Sequence, residues 1–219
     1  MHKKILNVKI YFWLLFIISS LFFILFPQID LYVASLFYDG ESFPLKNSWL
    51  EQLIYHSIRP IIIIFLLASI TLFIYNFFTK KSILNLNAKV LLYLILVLGV
   101  APGIIVNGIL KPNWGRPRPI ETTNFGGKMV FTPAFIPTKQ DGYSFSSGHA
   151  AATFSLIGFV ILASRKRFWM SIVLIYAAIM GVARMSAGGH FLSDVVTSFF
   201  IVYISTSIIH MIIFKEKEP

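Results

Sequence analysis

Long apolar runs alternate with short polar segments along this chain. Six runs are apolar nearly throughout, and they cover roughly residues 10–26, 58–78, 89–110, 148–164, 168–183 and 192–214. About 20 apolar residues suffice to cross the hydrocarbon core of a bilayer as a helix. Backbone groups in hydrocarbon must be hydrogen-bonded within the segment, so each run predicts a helix. The pattern therefore predicts an all-α, polytopic membrane protein with six transmembrane helices, of which the fourth and fifth are short.

Composition supports this interpretation and indicates one domain. Of the 219 residues, 57% are hydrophobic and 13% are charged, whereas a soluble domain has about a quarter charged residues. No linker, repeat or low-complexity tract interrupts the chain, so we expect residues 1–219 to form a single membrane-embedded domain. The first run follows a basic start, as in a signal peptide, but its length and the lack of a convincing cleavage site favour a retained anchor. The absence of Cys excludes disulfides and thiolate chemistry.

The basic residues predict the orientation in the membrane. A net charge of +10 can indicate nucleic-acid binding, but the cations are scattered between apolar runs and form no stripe, so we expect no nucleic-acid partner. If the N-terminus is inside, eleven of the 19 Lys and Arg residues fall in inner segments: Lys3, Lys4, Lys9, Lys80, Lys81, Lys89, Arg165, Lys166, Arg167, Lys215 and Lys217. Cytoplasmic segments carry such an excess. We therefore expect a multi-pass protein of the bacterial inner membrane with both termini in the cytoplasm.

Two long segments then lie on the periplasmic side. In the first, residues 27–57, the stretch 29–39 predicts a short amphipathic helix at the membrane interface. The second, residues 111–147, is rich in Pro, Gly and Thr and predicts an irregular loop. Function is expected on this periplasmic face, because three polar motifs border these segments.

The third motif contains His190 and Asp194, which share a face if they lie on a helix. The carboxylate can accept the imidazole Nδ1–H and leave Nε2 free as a nucleophile or ligand. The alternative is a structural pair in which Asp194 caps the helix. Arg184 precedes His190 across a Gly188-Gly189 turn, so the two side chains can face the same spot, although an interfacial anchor would also explain Arg184.

The other two motifs suit phosphate binding. Ser147 is a good N-cap for the fourth run, Gly148 allows close backbone approach, and His149 lies on the first turn, where it can donate a proton. A helix start binds anions through free N–H groups. Lys111 and Arg118 flank a Pro-rich stretch and can hold phosphate oxygens. Arg116 adds a third cation. The alternative interpretation of this motif is a basic loop that contacts lipid headgroups.

In this order and at these positions, the motifs resemble those of the type 2 phosphatidic acid phosphatase superfamily. That family's pattern is Lys-x6-Arg-Pro, then Pro-Ser-Gly-His, then Ser-Arg-x5-His-x3-Asp. Lys111 and Arg118-Pro119 match the first part, and Ser147-Gly148-His149 match the second, with Ser146 in place of Pro. Arg184, His190 and Asp194 match the third, with Ala183 in place of Ser. The six-helix plan extends the resemblance over nearly the whole chain.

The resemblance implies a metal-independent phosphatase without a cofactor, and a role for each matching residue. His190 would attack phosphorus and form a phosphohistidine, and Asp194 would orient it. His149 would protonate the leaving oxygen and later activate water. The phosphate oxygens would be held by the remaining matching residues, which are Lys111, Arg118, Ser147, Gly148 and Arg184. Arg116 and Lys128 are additional candidates for binding a headgroup with more than one phosphate.

The implied substrate is a phospholipid or lipid A in the bilayer. The segments 113–119, 125–127 and 144–150 resemble the bacterial branch that dephosphorylates lipid A, without distinguishing its 1- and 4′-phosphates. Phosphatidylglycerol phosphate, undecaprenyl pyrophosphate and phosphatidic acid remain alternatives, as does phosphotransfer to another lipid. A transporter would need charges deep within the spans, and a vanadate-dependent haloperoxidase would be soluble, so the pattern disfavours both. No obligate protein partner is expected.

Overall fold

The computed structural model describes residues 4–214, and 71% of the chain is helical, in agreement with the all-α prediction. The α-helices are α1 (Ile10–Leu25), α2 (Gln28–Ser35), α3 (Trp49–Thr79), α4 (Ala88–Gly99), α5 (Lys111–Trp114), α6 (Gly148–Phe154), α7 (Lys166–Ser186) and α8 (Leu192–Phe214). A π-helical segment, Val100–Leu110, joins α4 to α5, and a 3₁₀ segment, Ser155–Leu162, extends α6. Shorter 3₁₀ turns are Ile83–Asn85, Pro119–Glu121 and Thr123–Phe125. Two short antiparallel strands, β1 (Lys4–Ile5) and β2 (Val8–Lys9), precede α1.

Each of the six apolar runs is helical, but they differ in length. Four candidate spans are long and apolar enough to cross a membrane: Trp49–Thr79, Ala88–Glu121, Lys166–Ser186 and Leu192–Phe214. α1 and α2 pass the same criterion only as a pair, with a bend of 82° between them. The helix Gly148–Leu162 is shorter. The described residues thus form four or five candidate spans of a membrane protein, and a sixth stays a prediction.

The outward faces of these helices are apolar, as expected for a bilayer environment. Large side chains such as Ile18, Ile64 and Phe78 are more than half exposed, and a soluble monomer rarely shows so much contiguous apolar surface. The predicted cytoplasmic position of the termini stays a prediction. Residues 1–3 and 215–219, with Lys3, Lys215 and Lys217, lie outside the described part of the chain.

The two long polar segments largely have the predicted structure. The amphipathic helix expected over 29–39 is α2, Gln28–Ser35, and it packs against α8. The segment after α5 is irregular apart from two 3₁₀ turns. Both segments lie at the same end of the helix bundle, where Asp30, Arg116 and Asp194 form direct contacts. We call this end the polar end.

Small residues let α6 occupy the centre of the bundle. α6 contacts α3, α7, α8 and the π-helical segment, and its residues Ala150 and Ala151 are fully buried. Small side chains allow close helix approach in membranes. The hydroxyl of Ser198 on α8 lies 2.9 Å from the carbonyl oxygen of Ser147 and 2.8 Å from that of Asp194. These contacts fix the start of α6 against α8.

Candidate active site

The three polar motifs meet at the polar end of the bundle. Lys111, Arg184 and His190 all lie close enough to His149 to interact with it electrostatically. Lys111 in turn interacts with Arg118. The motifs lie at α5 and the loop after it, at the start of α6, and around the α7–α8 connection. α6 contacts α7, α8 and the π-helical segment, and that segment in turn contacts α5. The structure thus brings two histidines and three cations from separate parts of the chain into one cluster.

His190 lies next to Asp194, but the two side chains are slightly too far apart for a hydrogen bond. Its Nδ1 is 3.5 Å from Asp194 Oδ2, and within residues 4–214 this nitrogen has no hydrogen-bond partner. Asp194 Oδ2 instead accepts hydrogen bonds from Ser144 Oγ at 2.5 Å and from the Phe191 N–H at 2.9 Å. The carboxylate is therefore held rigidly next to the imidazole, in a position from which a small ring movement would complete the predicted hydrogen bond.

Burial controls the protonation of His190. The side chain is 2% exposed, and this burial, with the nearby cations Lys111 and Arg184, lowers the pKa of His190 to about 4, against the opposing effect of Asp194. The imidazole is consequently neutral at ordinary pH. A neutral ring retains the lone pair that a nucleophile requires.

Arg116 is fully buried and does not face a headgroup, which corrects the prediction made for it. Its Nη1 donates to Asp194 Oδ1 at 2.6 Å and to Ser193 Oγ at 2.8 Å, and its Nη2 donates to Asp30 Oδ2 at 2.8 Å. Its Nε donates to the Thr132 carbonyl at 2.9 Å. A guanidinium with these partners is occupied within the protein. Arg116 therefore fixes Asp194 and joins α2 to α8.

The start of α6 has the features expected of an anion site. Ser147 is the N-cap, and its Oγ accepts a hydrogen bond from the Ala150 N–H at 3.4 Å. A Cβ at Gly148 would lie 2.8 Å from Asn107 Oδ1 and 3.3 Å from Lys111 Nζ. Glycine at this position therefore leaves room for the Asn107 amide and the Lys111 ammonium close to the helix start, where free N–H groups favour an anion.

Arg118 and Arg184 each retain a buried donor that has no partner within residues 4–214. In both residues this donor is Nε. Arg184 Nη1, in contrast, is bound to Glu51 Oε1 at 2.7 Å. A buried N–H of a charged group is costly unless it is hydrogen-bonded. These two donors are suited to bind the oxygen atoms of a phosphate.

Lys128 is separate from these contacts. It is exposed on the loop after the 3₁₀ turn Thr123–Phe125, and its backbone N–H donates to the Glu121 carbonyl at 2.9 Å. Its proposed contact with a headgroup stays a prediction.

The part of the chain that the structure describes contains no group of three or more His, Cys, Asp or Glu side chains that could hold a metal ion.

Comparison with known proteins identifies the family. The model of the PAP2 superfamily matches residues 90–218. This chain belongs to the PAP2 superfamily. It is 35% identical over 215 residues to a protein named lipid A 4′-phosphatase from Francisella tularensis subsp. novicida (strain U112), and the alignment covers 90% of this chain and 92% of that protein.

A second relative is named lipid A 4′-phosphatase from Rhizobium leguminosarum. It is 38% identical over 101 residues, which cover 44% of this chain and 43% of that protein. No solved structure matches the chain. The family and these relatives identify this PAP2 protein as a lipid phosphatase, a phosphoric monoester hydrolase.

The matched region begins in α4, so three contacts at the site come from parts of this PAP2 protein that lie outside it. Asp30 on α2 holds Arg116, Glu51 on α3 holds Arg184, and the Tyr55 ring stacks on His149. Sequence analysis missed all three, together with Ser144 and Asn107. The chain has nine Asp and Glu residues, and an acidic side chain at a membrane boundary is a signal for function. That signal points to Asp30 and Glu51, whereas nothing in the sequence distinguishes Tyr55 from the other tyrosines.

Proposed function

We propose that this PAP2 phosphatase removes the 4′-phosphate of lipid A at the periplasmic face of a bacterial inner membrane. The observation that carries the proposal is the alignment, over nine-tenths of both chains, with a relative named lipid A 4′-phosphatase. The cationic cluster supports it, because the cluster lies at one end of a bundle whose sides expose large apolar residues. A substrate with its phosphate at the membrane surface and its acyl chains in the bilayer fits such an arrangement.

In the first chemical step, Nε2 of neutral His190 attacks phosphorus while the bond to the ester oxygen breaks. The leaving oxygen takes a proton from His149, so the products are the free hydroxyl of the sugar and a phosphohistidine. Asp194 accepts the Nδ1–H of His190 and stabilises the positive charge that develops on the ring. The 3.5 Å separation of Nδ1 and Asp194 Oδ2 is expected to shorten at this stage.

In the second step, His149, now neutral, takes a proton from water, and the resulting hydroxide attacks the phosphohistidine. The P–N bond breaks and returns its electron pair to His190 Nε2. Inorganic phosphate leaves, and His149 is again protonated. The same two histidines therefore serve both halves of the reaction in opposite proton-transfer roles.

The cations bind the phosphate of the substrate and also stabilise the charge of the transition state. Negative charge spreads over the three equatorial oxygens of a transferring phosphoryl group. Lys111, Arg118 and Arg184, with the Ser147 hydroxyl and the Gly148 N–H, are proposed to hold these oxygens. Donors fixed in a low-dielectric site stabilise such charge without reorganisation, and the phosphate charge in turn favours a proton on His149.

The test is to express the wild type and His190→Ala in a Gram-negative host and to compare their lipid A by mass spectrometry. Wild type alone should remove one phosphate mass, with fragment ions that assign the loss to the 4′-position. Lys80→Ala, at the opposite end of α3, serves as a control and should behave as wild type. Loss of phosphate with well-expressed His190→Ala would refute the nucleophile assignment.

The same experiment separates the alternatives. Loss of the 1-phosphate would reassign the position. Unchanged lipid A with active protein would redirect the proposal to glycerophospholipid or polyprenyl pyrophosphate substrates, which are tested by phosphate release in detergent micelles. A newly phosphorylated acceptor lipid, without free phosphate, would replace hydrolysis by phosphotransfer.

A further inference from the structure

The first two turns of α3 reach the cluster at the polar end. α3 begins after Ser48, whose Oγ accepts a hydrogen bond from the Glu51 N–H at 3.3 Å, and it runs for 31 residues. At 1.5 Å per residue it is about 46 Å long, which exceeds the roughly 30 Å of hydrocarbon. The helix is therefore long enough for its polar N-terminal turns to extend beyond the core. Glu51 and Tyr55 are four residues apart and project from one face of these turns.

Glu51 binds the guanidinium of Arg184. Its Oε1 accepts from Arg184 Nη1 at 2.7 Å, and its Oε2 accepts from Gln52 Nε2 at 2.8 Å. The carboxylate is 4% exposed, so water screens this ion pair little. A Cβ built on Gly189 would lie only 2.4 Å from Arg184 Nη2, so this nitrogen lies against the Gly189 backbone. The guanidinium is held between Glu51 and the Gly189 backbone, with Nε left for a ligand.

Tyr55 connects this arginine to His149. Its ring stacks on the His149 imidazole with centroids 4.1 Å apart and an angle of 28° between the planes. The Arg184 Cζ lies 4.5 Å from the centroid of the same ring. Aromatic stacking and cation–π contacts both favour a defined ring orientation. A hydrogen bond of 2.5 Å between Ser57 Oγ and Tyr176 Oη joins the same helix, α3, to α7.

We propose that Glu51 and Tyr55 are positioning residues of the reaction: Glu51 fixes the phosphate-binding Arg184, and Tyr55 fixes the plane of the proton donor His149. This inference rests on the proposed roles of Arg184 and His149. α3 lies outside residues 90–218, the region that matches the PAP2 superfamily. On this proposal, two residues of α3 position two residues of the matched region. The two roles are separable, because one concerns phosphate binding and the other concerns proton transfer.

The role of Tyr55 predicts a dependence on the leaving group. Tyr55→Ala frees the His149 ring, so hydrolysis of an alkyl phosphate lipid, whose leaving oxygen needs a proton, should slow by about 10²-fold. Release of 4-nitrophenol from 4-nitrophenyl phosphate in the first turnover, whose leaving group needs no proton, should stay within a few-fold of wild type. Both substrates are compared in the first turnover, because steady-state hydrolysis also depends on His149 as the base that activates water. Tyr55→Phe keeps the stacked ring and should retain both activities. Equal loss on both substrates in Tyr55→Ala, or loss in Tyr55→Phe, would overturn the positioning role.

The role of Glu51 predicts a change in phosphate affinity. Glu51→Ala removes a hydrogen bond to a charged group, so KM for 4-nitrophenyl phosphate and the inhibition constant of inorganic phosphate should both rise about tenfold or more, with kcat less affected. Glu51→Gln can still accept from Arg184 Nη1 and should restore most of the affinity. If both variants bind phosphate as tightly as wild type, Glu51 has no positioning role.

His149→Ala, assayed beside these variants, distinguishes the positioning role of Tyr55 from the proton-donor role of His149. If His149→Ala shows the leaving-group dependence and Tyr55→Ala does not, the inference is wrong and the proposed mechanism stands. If His149→Ala is equally slow on both substrates, the proton-donor assignment is wrong. Melting temperatures in detergent, measured for every variant, distinguish a positioning effect from a loss of fold.

Discussion

At the scale of single residues, Arg116 and Arg118 show how strongly the environment decides the role of a side chain. They are two positions apart in one Pro-rich segment. The guanidinium of Arg116 is fully buried between Asp30 and Asp194. Arg118 is half-buried and keeps its Nε without a partner within residues 4–214. One arginine completes an internal ion network, and the other remains available to a ligand.

Alanine substitution of these two arginines should therefore have opposite consequences. Arg116→Ala leaves two buried carboxylates without their cation, so the free energy of unfolding should fall by roughly 3–5 kcal/mol. Arg118→Ala should leave stability within about 0.5 kcal/mol of wild type and lower kcat/KM. Denaturant titration in detergent and phosphate release measure the two effects. Comparable destabilisation by both changes would contradict this division.

The buried His190 should make stability depend on pH. Its folded-state pKa of about 4 lies below the usual value near 6.5, so between these values the unfolded chain binds a proton that the folded chain does not. Stability should fall as the pH decreases from about 6.5 to 4, with a slope approaching roughly 1.4 kcal/mol per pH unit. No contribution is expected above this window.

His190→Gln isolates this contribution, since it lacks the titrating group but retains the polar side chain. The difference in unfolding free energy between wild type and His190→Gln should change only between about pH 6.5 and 4, with wild type losing relative stability on acidification. A difference that is constant across the window would mean that the His190 pKa is not lowered.

At the scale of secondary structure, apolar pattern predicts helices well where it is uninterrupted. The run 192–214 and helix α8, Leu192–Phe214, coincide. α3 was predicted over 58–78 but begins at Trp49, because Glu51, Gln52 and His56 interrupt the apolar pattern while Ser48 caps the helix. Glu51 is one of these polar residues and also contacts the site. The apolar pattern missed Glu51 because the pattern does not extend over the polar first turns of α3.

The fourth apolar run illustrates a limit of counting residues. Gly148–Leu162 is too short for an α-helical span by length alone, but its second half is a 3₁₀ helix. A 3₁₀ helix rises about 2.0 Å per residue rather than 1.5 Å, so the segment reaches roughly 26 Å. It therefore approaches the hydrocarbon thickness of about 30 Å. The apolar pattern does not predict that the second half of this segment is a 3₁₀ helix.

The turn between α7 and α8 provides a test at this scale. A Cβ at Gly189 would lie 2.4 Å from Arg184 Nη2, so Gly189→Ala must displace that guanidinium and raise KM about tenfold. Because Glu51→Ala acts on the same group, the double variant should lose less than the product of the single effects. Gly99→Ala, on α4 with no neighbour within 4 Å, should leave KM unchanged. Independent effects of Gly189→Ala and Glu51→Ala would contradict a shared target.

At the scale of the whole molecule, chemistry is confined to one end of an apolar bundle. The motifs predicted the cluster of cations and histidines because each one carries residue types suited to phosphate chemistry at a helix end. The network around it, in which Asp30, Arg116 and Ser144 hold Asp194, depends on contacts between distant segments and could not be predicted from local pattern. At this scale we expect the polar end to face the periplasm.

The chain has no Cys, so single cysteines labelled with a membrane-impermeant maleimide can test both the orientation and the number of spans. Lys128→Cys, Lys81→Cys and Arg165→Cys each replace an exposed side chain. If the loop faces the periplasm, as we propose, Lys128→Cys should be labelled in intact spheroplasts and the other two only after lysis. Arg165→Cys is decisive for the short helix, since Gly148–Leu162 can separate residues 128 and 165 only if it crosses the bilayer. Labelling of Arg165→Cys in intact spheroplasts would mean that this helix is re-entrant and that the six-span topology is wrong.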